Sequence, residues 1–235
     1  TSPGPDCGPG LVPFKSGSHI SIRSGAFMIA LLDCDGSESL ALRKALDGLD
    51  AGVRPVDSPD ELCRASKVII PHTKSYRRSL ASLRDRDLVG ALLTAVEAGC
   101  PVLAVSSGLH LLFDVMHDET QHVGLGVVHG TVSQFDFGVH PAAQHFGVPH
   151  QGWNQITWSG ECPILSGLKS GEYFYFDHAC HAEPLDSKLV AARCNHGLEF
   201  AAVVRRGDVF GTQFLPERSD AAGQSVLANF LNLNI

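Results

Sequence analysis

The residues best placed to do chemistry form the run Ala104-Val105-Ser106-Ser107-Gly108. Its small-x-nucleophile-x-small form is that of a nucleophile elbow, in which small flanking residues let a strained strand-to-helix turn present one side chain beside helix N-terminal amides. A serine N-cap followed by a packing glycine has the same spelling, so the pentapeptide alone supports both readings. A second cluster, Asp177-His178-Ala179-Cys180-His181, has the residue types of a metal site. On a single strand, alternation sends 178 and 180 to one face and 177 and 181 to the other, so neither a metal centre nor a cofactor is expected. The seven cysteines are odd in number, scattered and free of CxxC, which argues for reduced, mostly buried thiols over a disulfide framework or zinc ribbon.

An elbow is useful only where a strand ends and a helix begins, so the surrounding pattern matters. Met28 to Leu32 is a continuous apolar run that enters the loop Asp33-Cys34-Asp35-Gly36, as a buried parallel strand would. Ser37 is placed to cap a helix in which Leu42, Ala45, Leu46 and Leu49 recur until Gly52. Val53 to Val56 and Val68 to Ile70 read as strands, and Leu80, Leu83, Leu88, Leu92 and Val96 mark one long amphipathic helix closed by Gly99. Val102 to Val105 is a fourth strand, followed at once by the elbow and an apolar helix from Leu109 to Met116.

This alternation predicts an α/β fold with a doubly wound, mainly parallel sheet. Ligands in such sheets collect at the carboxyl ends of the strands, here the loops after Leu32, Ile70, Val105 and Phe214. Beyond Gly124 the pattern is mainly β, at 127–135, 153–158, 173–178, 189–194, 200–205 and 209–214, before a capped helix from Ser219 to Leu231. Residues 1–27, rich in Gly, Pro and Ser, read as a flexible tail or an expression remnant, which leaves 28–235 as one domain.

Composition narrows the function classes. Of 235 residues, 44% are hydrophobic and 18% charged, a globular balance, and the net charge of -7 gives no footprint for nucleic acid or anionic lipid. No apolar run approaches the ~20 residues of a membrane-spanning helix, so a cytoplasmic address is expected.

From about Met28 to Leu233 the chain resembles the class I glutamine amidotransferases, in particular the glutaminase subunit of imidazole glycerol phosphate synthase. The matching stretches are Gly124 to Val127, Pro149-His150-Gln151-Gly152-Trp153-Asn154-Gln155, Tyr173-Phe174-Tyr175-Phe176-Asp177-His178, and Gly211-Thr212-Gln213-Phe214-Leu215-Pro216-Glu217-Arg218-Ser219. The resemblance implies a flavodoxin-like sheet with an added antiparallel section. It also implies a cysteine nucleophile at the elbow, a histidine and glutamate in F-H-P-E, and an oxyanion loop spelled P-G-V-G. This chain has Ser106 at the nucleophile position, Leu215 at the base position and Pro71-His72-Thr73-Lys74 for the oxyanion loop, which Thr73 and Ser107 would form. Glu217 is the one triad member kept.

A serine hydroxyl needs an adjacent base to attack an amide, and leucine accepts no proton. Loss of a general base costs ~10² to 10⁴ in rate, so the expected protein is a pseudo-glutaminase with little amide hydrolysis left. The family docks onto a cyclase-like (β/α)₈ barrel, and the resemblance assigns that contact to His150, Trp153, Asn154, Tyr175, His178 and Arg218. Glutamine or another small molecule is a candidate for the remnant pocket. The rival reading is a rewired serine hydrolase or transferase, in which His110, four residues after Ser106, or His72, on the facing loop, serves as base with Glu217 nearby.

Overall fold

A computed structural model describes residues 28–34, 40–49, 51–117, 120–138 and 146–233. The expected tail at 1–27 and the cap at Ser37 lie outside them. The first half runs β1 (Ile29–Leu32), α1 (Leu40–Asp47), β2 (Val53–Val56), α2 (Pro59–Leu62), β3 (Lys67–Ile70), α3 (Tyr76–Asp85), α4 (Leu88–Glu97), β4 (Val102–Val105) and α5 (Ser107–Leu111). The second is largely β: β5 (Phe113–His117), β6 (Gln121–Val123), β7 (Val128–Gln134), β8 (His150–Thr157), β9 (Tyr173–His178), β10 (Cys180–Pro184), β11 (Val190–Asn195), β12 (Glu199–Arg206) and β13 (Val209–Thr212), closed by α6 (Asp220–Leu231).

Nine strands form one sheet in the order β2-β1-β3-β4-β13-β12-β11-β8-β9. The part from β2 to β13 is parallel, and β12, β11, β8 and β9 extend it antiparallel. A four-stranded sheet, β10-β7-β5-β6, stands beside it. Strands β1, β3 and β4 are buried throughout, which is why they read as unbroken apolar runs. Their alternate residues feed two cores: Ala30, Val68, Ile70 and Ala104 pack with leucines of α3 and α4, while Leu31, Ile69, Leu103 and Val105 pack with Leu42 and Leu46 of α1 and with α6. No helix among the described residues is long and apolar enough to cross a membrane.

Three local expectations are corrected. The single helix expected from Leu80 to Val96 is two, broken at Asp87, whose φ is 55°. Leu83 and Leu88 are five positions apart, off the helical period, so both reach the core only if the helix breaks between them. Arg86 fills the break by donating to Ser82 and to the Asp33 carbonyl and carboxylate. The helix expected from Leu109 to Met116 stops at Leu111, and Phe113–His117 is a strand paired parallel with β7. Finally, the chain passes from the large sheet to the small one between His178 and Cys180, so the alternation expected for 177–181 does not hold and His178, Cys180 and His181 are all buried. Cys34, Cys100, Cys162, Cys180 and Cys194 are free thiols, whereas Cys63, half-buried after α2 and so open to another thiol, is disulfide-bonded.

Gly108 lets α5 sit on the end of β3, since a Cβ there would lie 2.5 Å from the Pro71 carbonyl and 2.8 Å from that of Ile70. Gly90, inside α4, faces open space. Urea unfolding of the two alanine variants checks this: Gly108→Ala should lose ~1–3 kcal/mol by overpacking, and Gly90→Ala should gain roughly 0.5–1 kcal/mol of helix propensity.

Candidate active site

β4 and β13 run parallel with Val105 opposite Thr212, which brings the segments following each to one end of the sheet. Ser106 continues the pairing by donating its N–H to the Thr212 carbonyl at 2.6 Å. Its backbone then turns at φ 52° and ψ -115° into α5, a strained conformation costing ~1–3 kcal/mol for a non-glycine residue. The elbow is therefore formed. The N-cap alternative does not describe it, because Ser106 Oγ makes no cap bond, is fully buried and has no hydrogen-bond partner among the described residues.

Leu215 lies three residues past β13, buried in the core that holds Phe214, Val226 and Leu227. Its loop is clamped by backbone: Leu215 N–H donates to Tyr175 O at 2.9 Å, Ser219 Oγ donates to Leu215 O at 2.7 Å, and Tyr175 N–H donates to Ser219 Oγ at 2.9 Å. The sequence suggested only a helix cap at Ser219, and the clamp had no local signal. Glu217 follows half-buried on the 3-10 turn Pro216–Arg218.

Neither replacement base is hydrogen-bonded to Ser106. His110 Nε2 donates to Gln213 Oε1 at 3.0 Å, and burial pushes its pKa down to about 4. Gln213 was quoted in a motif but assigned no role. Its own Nε2 is buried and unpartnered. His72 instead meets Ser107, with Nδ1 at 3.1 Å from Oγ. That hydroxyl donates to Thr73 O at 2.7 Å and accepts the Thr73 N–H at 2.7 Å. The Ser107 hydroxyl can give its one proton to Thr73 O or to His72 Nδ1, and in either case the His72 ring is engaged with Ser107 and not with Ser106. The backbone N–H that the oxyanion loop would offer to a developing oxyanion is occupied by a side chain of the elbow.

The expected docking residues divide between two faces. On β8 and β9, Trp153 opposes Tyr175 and Gln155 opposes Tyr173, and these side chains point outward, Trp153 being 49% and Tyr173 53% exposed. Arg218 lies 4.0 Å over the Tyr175 ring and pairs with Asp177 at 3.3 Å. His150 and His178 take the opposite, buried face by strand alternation, with Asn154 half-buried beside them. They form a directional chain: Asn154 Nδ2 donates to His150 Nε2 at 3.2 Å, His150 Nδ1 to His178 Nε2 at 3.0 Å, and His178 Nδ1 to Cys180 O at 2.8 Å. Every member is satisfied with both rings neutral, so these histidines can support a docking face only from beneath.

Burial pushes His150 down to about 3 and His178 well below the usual histidine range. With His110, three rings stay neutral in the folded protein while their unfolded counterparts take up protons below pH ~6.5. Stability therefore falls with pH below that value, each histidine contributing up to ~1.4 kcal/mol per pH unit until its folded pKa is reached. Urea midpoints at pH 7.5 and 5.5 check this. A clear drop at the lower pH is expected, and equal midpoints would contradict the neutral assignment.

The family model for glutamine amidotransferase class-I matches residues 31–233. The chain is 35% identical over 202 residues to imidazole glycerol phosphate synthase subunit HisH of Moorella thermoacetica, covering 86% of this chain and 93% of that protein. It is 34% identical over 206 residues to the same subunit of Salinibacter ruber, covering 88% and 94%. Two solved structures share the fold: a glutamine amidotransferase (TM-score 0.66, 17% identity, 86% of this chain and 97% of that one) and PurLQS from Thermotoga maritima (TM-score 0.62, 20% identity, 87% and 97%). A strained elbow between β4 and α5, a clamped loop after β13 and a match along nearly the whole described chain together make this protein a member of the class I glutamine amidotransferase family.

Proposed function

We propose that this chain is a HisH-like pseudo-glutaminase, a subunit that pairs with a cyclase-like (β/α)₈ barrel in the cytoplasm without itself releasing ammonia from glutamine. The observation that carries the reading is that Leu215, which the motif aligns with the family's base, is buried in an apolar core, while the buried Ser106 hydroxyl has no hydrogen-bond partner among the described residues. A hydroxyl attacks an amide only as its proton leaves, and the two side chains weighed as bases, those of His110 and His72, are bonded to Gln213 and Ser107. Oxyanion stabilisation is impaired as well, because removal of one donor costs about 10²–10³ in rate and Thr73 N–H is already bound to Ser107. Glutamine or another small molecule remains a candidate ligand for the pocket. The relatives named as HisH subunits of imidazole glycerol phosphate synthase support a role beside histidine synthesis.

Rebuilding the triad tests the reading. Ser106→Cys and Leu215→His should each remain near background, since one lacks a base and the other a good nucleophile. The double variant, with Glu217 to orient the new imidazole, should be alkylated by a glutamine-analogue electrophile at least ~10²-fold faster than either single variant. Adding Ser107→Ala should raise turnover again by freeing the Thr73 amide. Equal alkylation of all three variants would overturn the assignment of positions 106 and 215, and labelling of unmodified Ser106 by a fluorophosphonate probe would favour the rewired hydrolase.

The pairing rests on the outward face of β8 and β9, where an exposed tryptophan and two tyrosines sit beside Arg218. A central tryptophan of an interface contributes ~2 kcal/mol or more, so Trp153→Ala should weaken binding to a cyclase barrel roughly 30-fold without changing the unfolding midpoint. Unchanged affinity would remove this face from the interface.

A further inference from the structure

α3 carries a charge pattern that its helix does not account for. Carboxylates stabilise a helix start and cations its end, yet α3 has no acidic residue in its first turn, which instead holds Arg77 and Arg78. Arg84, in the last turn, is where a helix favours a cation, so the unfavourable charges are those of Arg77 and Arg78. The whole chain has a net charge of -7, and Arg86, Arg193 and Arg218 each pair with a carboxylate. Among the described residues Arg77, Arg78 and Arg84 have no carboxylate partner. Other exposed arginines of the described chain also lack a carboxylate, so what sets these three apart is that they face one groove.

All three arginines line one groove of about 690 Å³ between α3 and β6, within the size range of small-molecule sites. Its far wall, on β6, is formed by His122 and by Val123, which is 65% exposed; the His122 ring lies 6.0 Å from that of Tyr76, buried at the start of α3. Arg84 reaches across to donate one N–H to the Val123 carbonyl at 3.2 Å, which fixes the guanidinium while leaving its other donors uncommitted. Guanidinium forks match phosphate oxygens in pairs.

We propose that this groove binds a small molecule with more than one phosphate, its phosphates held along Arg77, Arg78 and Arg84 and its organic body lying against His122 and Val123. The groove is distinct from the elbow, and the inference does not depend on whether Ser106 is active. Calorimetric titration of the full chain with inorganic pyrophosphate and with adenosine triphosphate, at constant ionic strength, tests it. Both probes should bind saturably, the nucleotide more tightly because it also covers the wall of His122 and Val123. Arg77→Ala and Arg84→Ala should each weaken binding by about tenfold, Arg77→Lys by less, and Arg64→Ala, outside the groove, not at all. The arginines at 77 and 84 are exposed, so the variants should keep the parent's circular dichroism and unfolding midpoint. Absence of saturable binding by either probe up to about 5 mM, or binding that the Arg77→Ala/Arg84→Ala double variant leaves unchanged, would overturn the proposal.

Discussion

Parallel pairing of β4 with β13 is the constraint on which the site depends. With Val105 opposite Thr212 and the Ser106 amide on the Thr212 carbonyl, positions 106 and 215 follow neighbouring strands at one end of the sheet. The turn at Ser106 is strained, and such strain persists only where surrounding structure enforces it. Gly108 against Pro71 and Gly211 against Leu109 are the close approaches that enforce it here. A Cβ on Gly211 would stand 2.1 Å from Leu109 Cδ1. None of these contacts involves the Ser106 hydroxyl, so the backbone of an elbow can be retained whatever chemistry its side chain performs.

The same independence explains how a catalytic position can be lost without loss of the fold. A histidine base after β13 would bring a polar ring into the core that holds Phe214, Val226 and Leu227. Leu215 buries apolar surface in that core, worth roughly 1.5–3 kcal/mol for a fully buried leucine side chain. On the proposed reading, a leucine in place of the base thus favours stability, the usual direction of exchange between stability and activity. Ser107 acts in the same sense: its hydroxyl satisfies both the N–H and the carbonyl of Thr73, fixing a loop that would otherwise leave a buried amide without a partner. At both positions the side chain present satisfies the scaffold.

Much of this was legible in the residue order. The strands β1, β3 and β4 announce themselves as apolar runs because both faces are buried, and the small residues of Ala104 to Gly108 spell the strand-to-helix turn found at Ser106. What was hidden depends on distant partners. Phe113–His117 becomes a strand because β7 pairs with it, a contact that helical periodicity cannot register. The break at Asp87 was visible in the five-residue step from Leu83 to Leu88, a departure from the period that a count of leucines passes over. Alternation along β8 separates His150 from Trp153 and was available to the sequence reading. The pairings His110–Gln213 and Ser107–Thr73 were not, since they depend on how two loops from different strands meet.

The central claim is that an intact scaffold holds a disabled amidotransferase site. Its most direct test is the rate of ammonia release from saturating glutamine by the unmodified chain, measured while it is bound to a cyclase barrel. The account predicts a rate below that of a family member with cysteine and histidine in place by ~10³-fold or more. A rate within about tenfold of such a member would contradict it.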